Sequence, residues 1–274
     1  MNQNAPAIWR LVITSPASGA WNMAVDEAIA IMSARGESPP TLRFYQWRPP
    51  AISLGRHQPL AEIDQARARA LGYDLVRRPT GGRAILHIDE LTYSIAGPKE
   101  EPRLAGAVLD SYHRISEGLV LGLQRLGVDA RKAPGSQRAG PDVSAVCFEV
   151  PSAYEILAGG KKIMGSAQSR RSGYVLQHGS LPLHGDVARL VDALALSEPE
   201  RLALRAAVTA RATTLEAVMG RHVSFWEAAT ALIDGLTSAL NIDLEEGELS
   251  PSELELARRL ESETYANPDW LTRL

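Results

Sequence analysis

The sequence is poor in cysteine: Cys147 is the single one among 274 residues. No intramolecular disulfide can form, and multi-cysteine zinc or iron–sulfur centres are excluded. That usage fits a reducing cytoplasm, which is the expected location. Long apolar runs are also missing. No stretch reaches the roughly 18 residues of a membrane-spanning helix, so no membrane association is expected. The opening Met1-Asn2-Gln3-Asn4-Ala5-Pro6 lacks the basic and apolar segments of a secretory signal, and no export is expected. Nor does one sign of charge dominate. With 29 basic against 32 acidic side chains the formal charge is −3, which offers no broad nucleic-acid footprint.

Several chemical signatures are absent as well. Gly159-Gly160-Lys161-Lys162 has the wrong spacing for a phosphate loop, and there is neither a His-Glu-x-x-His helix nor a Gly-x-Ser-x-Gly elbow. The six histidines, at 57, 87, 113, 178, 184 and 222, never fall in metal-ligand spacing, so no metal is expected.

What remains is a chain of 45% hydrophobic residues, long enough for one large domain or a domain with an appended lobe. Its charge is unevenly spread. Positions 131 to 174 carry seven Lys or Arg against three Asp or Glu, whereas positions 241 to 274 carry three against nine. The central excess suits an acidic docking partner around Arg170 and Arg171, or simply a solvated surface.

Strand and helix signals alternate without repeats, which reads as α/β of the α+β type. Asn22 can cap a helix to about Met32, and Asp64 to Leu71 suits a short second one. Val108, Tyr112, Ile115, Leu119, Leu123 and Leu126 recur every three or four residues, marking an amphipathic helix that Gly127 stops. Strands are expected at Leu75-Val76, Ala84 to His87, Leu91 to Ile95, Ala153 to Leu157, Lys162 to Met164 and Tyr174 to Leu176. Gly159-Gly160 suits a hairpin turn. Beyond Pro182 the pattern turns helical, with capping boxes at Ser224/Glu227 and Ser250/Glu253. Segment 131 to 146, rich in Pro, Gly, Ser and Arg, reads as a mobile loop leading into Cys147. No long coiled-coil face is apparent, so a monomer is expected.

Three glycine-punctuated segments look chemical. In Arg77-Arg78-Pro79-Thr80-Gly81-Gly82-Arg83, adjacent glycines let backbone N–H groups approach a ligand, though the same residues suit a turn with solvated arginines. Gly160-Lys161-Lys162-Ile163-Met164-Gly165-Ser166-Ala167-Gln168 starts a strand with two lysines, which point to opposite faces. If Lys161 is solvated, Lys162 faces inward and needs a partner or a function, unless both reach water. Gln177-His178-Gly179-Ser180-Leu181 places polar groups at a strand end, where His178 also suits a structural hydrogen bond. Cys147 reads either as a small buried hydrophobe or, if the hairpin brings Lys162 close, as a thiolate nucleophile.

These segments carry a resemblance. Arg77 to His87 with Glu90-Leu91-Thr92-Tyr93-Ser94, Lys162 to Gln168, and Gln177 to Leu181 resemble, in order, three motifs of the lipoate–protein ligase and octanoyltransferase family. Over essentially the whole chain, from Asn22-Met23-Ala24-Val25-Asp26-Glu27 to Glu263-Thr264-Tyr265-Ala266, the sequence is similar to its cysteine-dependent octanoyl-[acyl carrier protein]:protein N-octanoyltransferase branch. The branch hallmark, a cysteine 15 residues before the motif lysine in a Cys-Phe-x-x-Pro-Ser setting, is matched by Cys147, Phe148, Pro151, Ser152 and Lys162.

The resemblance implies the biotin and lipoate protein ligase fold: a mixed, mostly antiparallel sheet flanked by helices, with a small second sheet. It assigns residues 1–248 to an acyltransferase domain and 249–274 to a C-terminal helical extension. It implies Cys147 and Lys162 as catalytic residues, the first carrying the acyl group as a thioester. Arg78, Thr80, Gly81, Gly82, His87, the turn Gly165-Ser166-Ala167-Gln168, and His178-Gly179 would bind substrate. The donor would be octanoyl-acyl carrier protein and the acceptor glycine cleavage H protein or another lipoyl domain, with no cofactor. Arg83 stands where ligases carry a third glycine, which argues against adenylate formation. Ile88 stands where the family usually has aspartate, so no role passes to Asp89. Two related activities share the implied fold, an ATP-dependent lipoate ligase and a transferase between two lipoyl proteins. A non-catalytic protein that binds lipoylated partners is the reading from a different class.

Overall fold

The computed structural model describes residues 5–133, 155–171 and 173–273. In chain order the strands are β1 (Ala7–Ile13), β2 (Thr41–Tyr45), β3 (Ala51–Leu54), β4 (Asp74–Arg77), β5 (Ile85–His87), β6 (Glu90–Pro98), β7 (Ala130–Lys132), β8 (Ile156–Ala158), β9 (Lys161–Arg171), β10 (Tyr174–Pro182) and β11 (Ile242–Glu246). The helices are α1 (Gly19–Ala34), α2 (Gln65–Ala70), α3 (Val108–Arg125), α4 (Glu198–Arg211), α5 (Leu215–Met219), α6 (Phe225–Leu240), α7 (Pro251–Leu260) and α8 (Pro268–Thr272).

Eight strands form one sheet in the order β11-β1-β2-β6-β10-β9-β8-β7, and β4-β3-β5 form a second. In the large sheet β1 runs parallel to β2 and β11, and every other pair is antiparallel. The fold is therefore the mixed, mostly antiparallel sheet with flanking helices and a small second sheet that the resemblance implies.

Side-chain alternation along the strands divides the interior into two layers. On β2, Leu42 and Phe44 join Ile115, Leu119, Leu232 and Leu236 of α3 and α6 on one face of the sheet. Tyr45 faces the other way, into the layer under α1 with Met23, Val25, Ile29 and Trp47. Helices α3 and α6 pack very closely because glycines line their crossing. A Cβ on Gly235 would stand 2.2 Å from both the Gly118 oxygen and the Gly122 nitrogen.

The C-terminal residues are tied back to the sheet domain. Arg10 of β1 forms a 2.5 Å ion pair with the buried Glu253 of α7. Tyr265 donates to Glu27 of α1 at 2.6 Å, and the Arg77 guanidinium donates to the Trp270 and Leu271 carbonyls of α8.

Several sequence expectations are corrected. Helix α1 starts earlier than predicted, since Ser18 is its cap and accepts from the Trp21 N–H. Asn22 instead lies inside the helix, donating to the carbonyls of Ala17 and Gln46. Gly165 to Gln168 is no turn but the middle of the eleven-residue β9. Likewise His178 and Gly179 sit mid-strand in β10, because β6 and β9 supply hydrogen-bonding partners on both sides. Strands β1, β2 and β3 escaped detection, and β11 lies where only helix was expected. Arg131 and Lys132 of the expected loop belong to β7, while residues 134 to 146 and Cys147 lie outside the described residues. Arg170, of the basic segment, donates to the carbonyls of Leu104 and Gly106 at 2.6 and 2.9 Å.

The α3–α6 crossing yields a test. Gly235→Ala forces a methyl group against backbone and is expected to cost about 1–3 kcal/mol, read as a lowered urea midpoint with unchanged slope.

Candidate active site

Between the two sheets lies a cavity of about 310 Å³. Its position follows from strand register: β10 pairs His178 with Ser94 on β6 and with Ala167 on β9, and Gly179 with Ser166. The middle of β9 and β10 thus forms one wall. The Arg78 to Arg83 loop, carried on the small sheet, forms the opposite one.

That loop is held tightly. Arg78 is buried and its guanidinium donates to the carbonyls of Ser53, Gly81 and Arg83 at 2.7–2.8 Å, so the side chain fastens its own loop. Gly82 has φ +91°, and a Cβ on Gly55 would lie 1.8 Å from the Gly82 oxygen. Glycine is needed at both places, by conformation at one and by close approach at the other.

Two buried carboxylates organise the polar side. Asp26 on α1 accepts from Arg43 at 2.7 Å, Ser94 at 2.8 Å, Tyr45 at 2.8 Å and His178 Nδ1 at 3.4 Å. Burial pushes the Asp26 carboxyl up, but the Arg43 charge and the hydrogen bonds outweigh it and hold the group below its ordinary 3.8. Burial also dominates at His178 and lowers it from 6.5, against the raising influence of Asp26. With Nδ1–H turned toward Asp26, Nε2 accepts from the Thr80 hydroxyl at 2.6 Å.

The second carboxylate, Glu90, accepts from His87 Nδ1 at 2.7 Å and from Thr92 and Ser180. His87 Nε2 lies 2.8 Å from Ser53 Oγ, and Trp47 stacks on the imidazole at 3.9 Å between ring centroids. Both histidine rings are thereby fixed in orientation.

Lys162 is buried in β9 and forms an ion pair with Glu155. Its Nζ lies 3.1 Å from where a Gly165 Cβ would stand, which places the ammonium against the small-residue wall. Nearby, Tyr93 bonds Ser166 Oγ at 2.7 Å and accepts from Gln177 at 2.9 Å. Burial drives the Tyr93 hydroxyl up to about 12, with those two bonds pulling the other way, so it stays protonated.

Of the residues singled out from sequence, Arg78, Gly81, Gly82, His87, Gly165, Ser166, Ala167, Gln168, His178 and Gly179 all line the cavity. Thr80 sits behind it against His178, Lys162 behind Gly165, and Cys147 lies outside the described residues. Sequence reasoning missed Asp26, Trp47, Ser53, Glu90 and Glu155. The usable signal at Asp26 was a carboxylate inside the apolar run Met23 to Met32, one helical turn after Asn22.

The Asp26 network predicts a pH response. Both Asp26 and His178 are lowered in the fold, so each stabilises above its unfolded value and loses that contribution as pH falls. Stability is expected to decline below about pH 6.5 through His178 and further below about 3.8 through Asp26, the first phase vanishing in His178→Gln. Asp26→Asn strips Arg43 of its counter-charge and is expected to cost about 3–5 kcal/mol in denaturant unfolding.

Comparison with known proteins assigns this arrangement to a family. The lipoyl protein ligase A/B catalytic domain matches residues 18–237. Octanoyltransferase LipM of Symbiobacterium thermophilum is 46% identical over 273 residues, 97% of this chain and 98% of its own. Octanoyltransferase LipM of Kyrpidia tusciae is 45% identical, covering 96% and 97%. Among solved structures, a chain from an archaeal lipoylation system, a bi-partite lipoate protein ligase and its E2 lipoyl domain from Thermoplasma acidophilum, superposes with TM-score 0.81 at 27% identity, covering 99% and 98%. A lipoate-protein ligase A bound with ATP superposes with TM-score 0.79 at 28% identity, covering 97% and 99%. With the match spanning both walls of the cavity, the chain belongs to the lipoyl protein ligase A/B catalytic-domain family.

Proposed function

We propose that the protein is an octanoyltransferase of lipoate biosynthesis that moves an octanoyl group from acyl carrier protein to the lysine of a lipoyl-domain protein, with glycine cleavage H protein as the favoured acceptor. The observation that carries the reading is the convergence of three glycine-bearing segments on one cavity with a buried ammonium behind its wall, in a chain 46% identical to a LipM octanoyltransferase.

Cys147 is proposed to hold the acyl group between the two half-reactions. Its thiolate attacks the carrier thioester, the carbon–sulfur bond to the carrier breaks, and the carrier leaves as a thiol. The acceptor amine then attacks the enzyme thioester, the amide forms, and the Cys147 sulfur departs. No energy source is required, because the first step exchanges one thioester for another and amide formation draws the second forward. Lys162 is proposed to lower the thiol pKa and to help hold the acyl carbonyl. The cavity supports the reading from the substrate side: Met23, Trp47 and Ile85 give it apolar surface, and the loop and strand residues surround the chain with fixed polar groups.

Mass spectrometry of the intact protein after incubation with octanoyl-acyl carrier protein, without ATP, tests the proposal. One octanoyl adduct, sensitive to hydroxylamine, is expected in wild type, none in Cys147→Ser, and slow formation in Lys162→Ala. AMP release with free lipoate and ATP, and no adduct from the carrier, would favour a ligase instead, the activity of the structural neighbour bound with ATP. Chain length gives a second readout. Each buried methylene contributes about 0.8 kcal/mol, so a hexanoyl donor is expected to lose roughly fifteenfold in kcat/KM.

A further inference from the structure

A second, smaller cavity of about 110 Å³ lies beside the ends of β3 and β4 and shares no lining residue with the acyl cavity. Arg56, His57, Arg77, Trp270 and Arg273 line it. Five residues thus bring three guanidinium groups and an imidazole together. No described carboxylate forms an ion pair with any of the three arginines.

Their roles differ. Arg77 is committed to backbone: it donates to the carbonyls of Gly55 and Gln58 at 2.8 and 2.7 Å and to those of Trp270 and Leu271. It supplies charge rather than a spare donor, and burial alone lowers its pKa. Arg56 and Arg273 instead flank the indole of Trp270, at 5.8 and 5.7 Å from the ring centroid. The Nη1 of Arg56 is buried and has no hydrogen-bond partner among the described residues. A buried, charged donor without an acceptor is costly, and a native protein that keeps one calls for an explanation.

We propose that this cavity is a binding site for a phosphate-class anion, with Arg56 and Arg273 as its ligands and Arg77 as fixed background charge. A compact dianion with several acceptor oxygens answers clustered guanidiniums better than a monovalent carboxylate does. The site also has a place in the architecture. The Arg56 N–H donates to the Thr80 carbonyl at 2.9 Å, and the Trp270 Nε1 donates to the Arg77 carbonyl at 2.8 Å. An anion held there links α8 to the loop that walls the acyl cavity. The proposal is independent of the acyl-transfer reading, since it uses none of that site's residues.

The test titrates inorganic phosphate into the full chain at constant ionic strength, with chloride as the reference, using calorimetry and thermal unfolding. Saturable binding and a phosphate-dependent rise in Tm are expected in wild type. Affinity is expected to fall about tenfold or more in Arg273→Gln, whose exposed side chain leaves the fold intact, and likewise in Arg56→Gln. No saturable binding, or equal Tm shifts in wild type and Arg273→Gln, would overturn the assignment. A phosphate monoester on a pantetheine arm, run in parallel, separates the sources: tighter binding than inorganic phosphate supports a phosphoryl group carried on a larger molecule, and equal binding supports the free anion.

Discussion

Asp26 and Arg43 meet at 2.7 Å with both side chains fully withdrawn from water. Such a pair is costly to bury, and it survives only when every donor and acceptor around it is used. Here they are. The Arg43 guanidinium also donates to Thr14 Oγ1, the Asn22 carbonyl and Asn22 Oδ1, while Asp26 takes hydrogen bonds from two strands besides β2. The pair therefore fixes α1 against the large sheet at one angle and one depth. From that seat Asp26 orients His178, His178 orients Thr80, and Thr80 belongs to the loop that walls the cavity between the two sheets.

A parallel chain runs through Glu90, His87 and Ser53 to Arg78, which fastens the same loop from the small sheet. Two buried carboxylates on the large sheet side thus reach one glycine-rich segment, at Thr80 and at Arg78. The loop's geometry is imposed from outside, by charge-assisted hydrogen bonds that are strong in a low-dielectric interior. Glycines complete the arrangement by removing side-chain bulk where backbone passes close by, at Gly55 against the Gly82 oxygen and at Gly179 against the Gly165 oxygen.

For the proposed acyl transfer, this rigidity would serve to distinguish chains by length. An apolar acyl chain is recognised mainly by the volume it fills, so selectivity depends on walls that do not yield. The small residues Gly165, Ser166 and Ala167 set one wall, and Tyr93 and Tyr112 brace Ser166 from behind through its side chain and carbonyl.

Local pattern was enough to read some of this from sequence. The period of α3, the short helix near Asp64 to Leu71, the caps at Ser224 and Ser250, and the Gly159-Gly160 hairpin depend on residues close together in the chain, and they stand in the structure. The three glycine-bearing segments were legible too, because glycines and charged residues packed together in a strand context are conspicuous. Strands β1 to β3 were not legible. β2 and β3 are only five and four residues long and buried throughout, too short a run for a period of two to stand out from the chain around them. The extent of β9 and β10 was hidden for a related reason: Gly165 to Gln168 and Gln177 to Ser180 have turn-like composition, and only neighbouring strands on both sides hold them extended. Asp26, Glu90 and Glu155 gave little local sign of their partners, which, Thr92 beside Glu90 apart, lie far away in sequence or on another element. The sequence by itself determined the elements whose stabilising contacts span a few residues, together with the family and the glycine-bearing segments that line the cavity. The tertiary structure alone decided which of those segments share a cavity and which carboxylates orient them, because long-range strand register and burial set those distances.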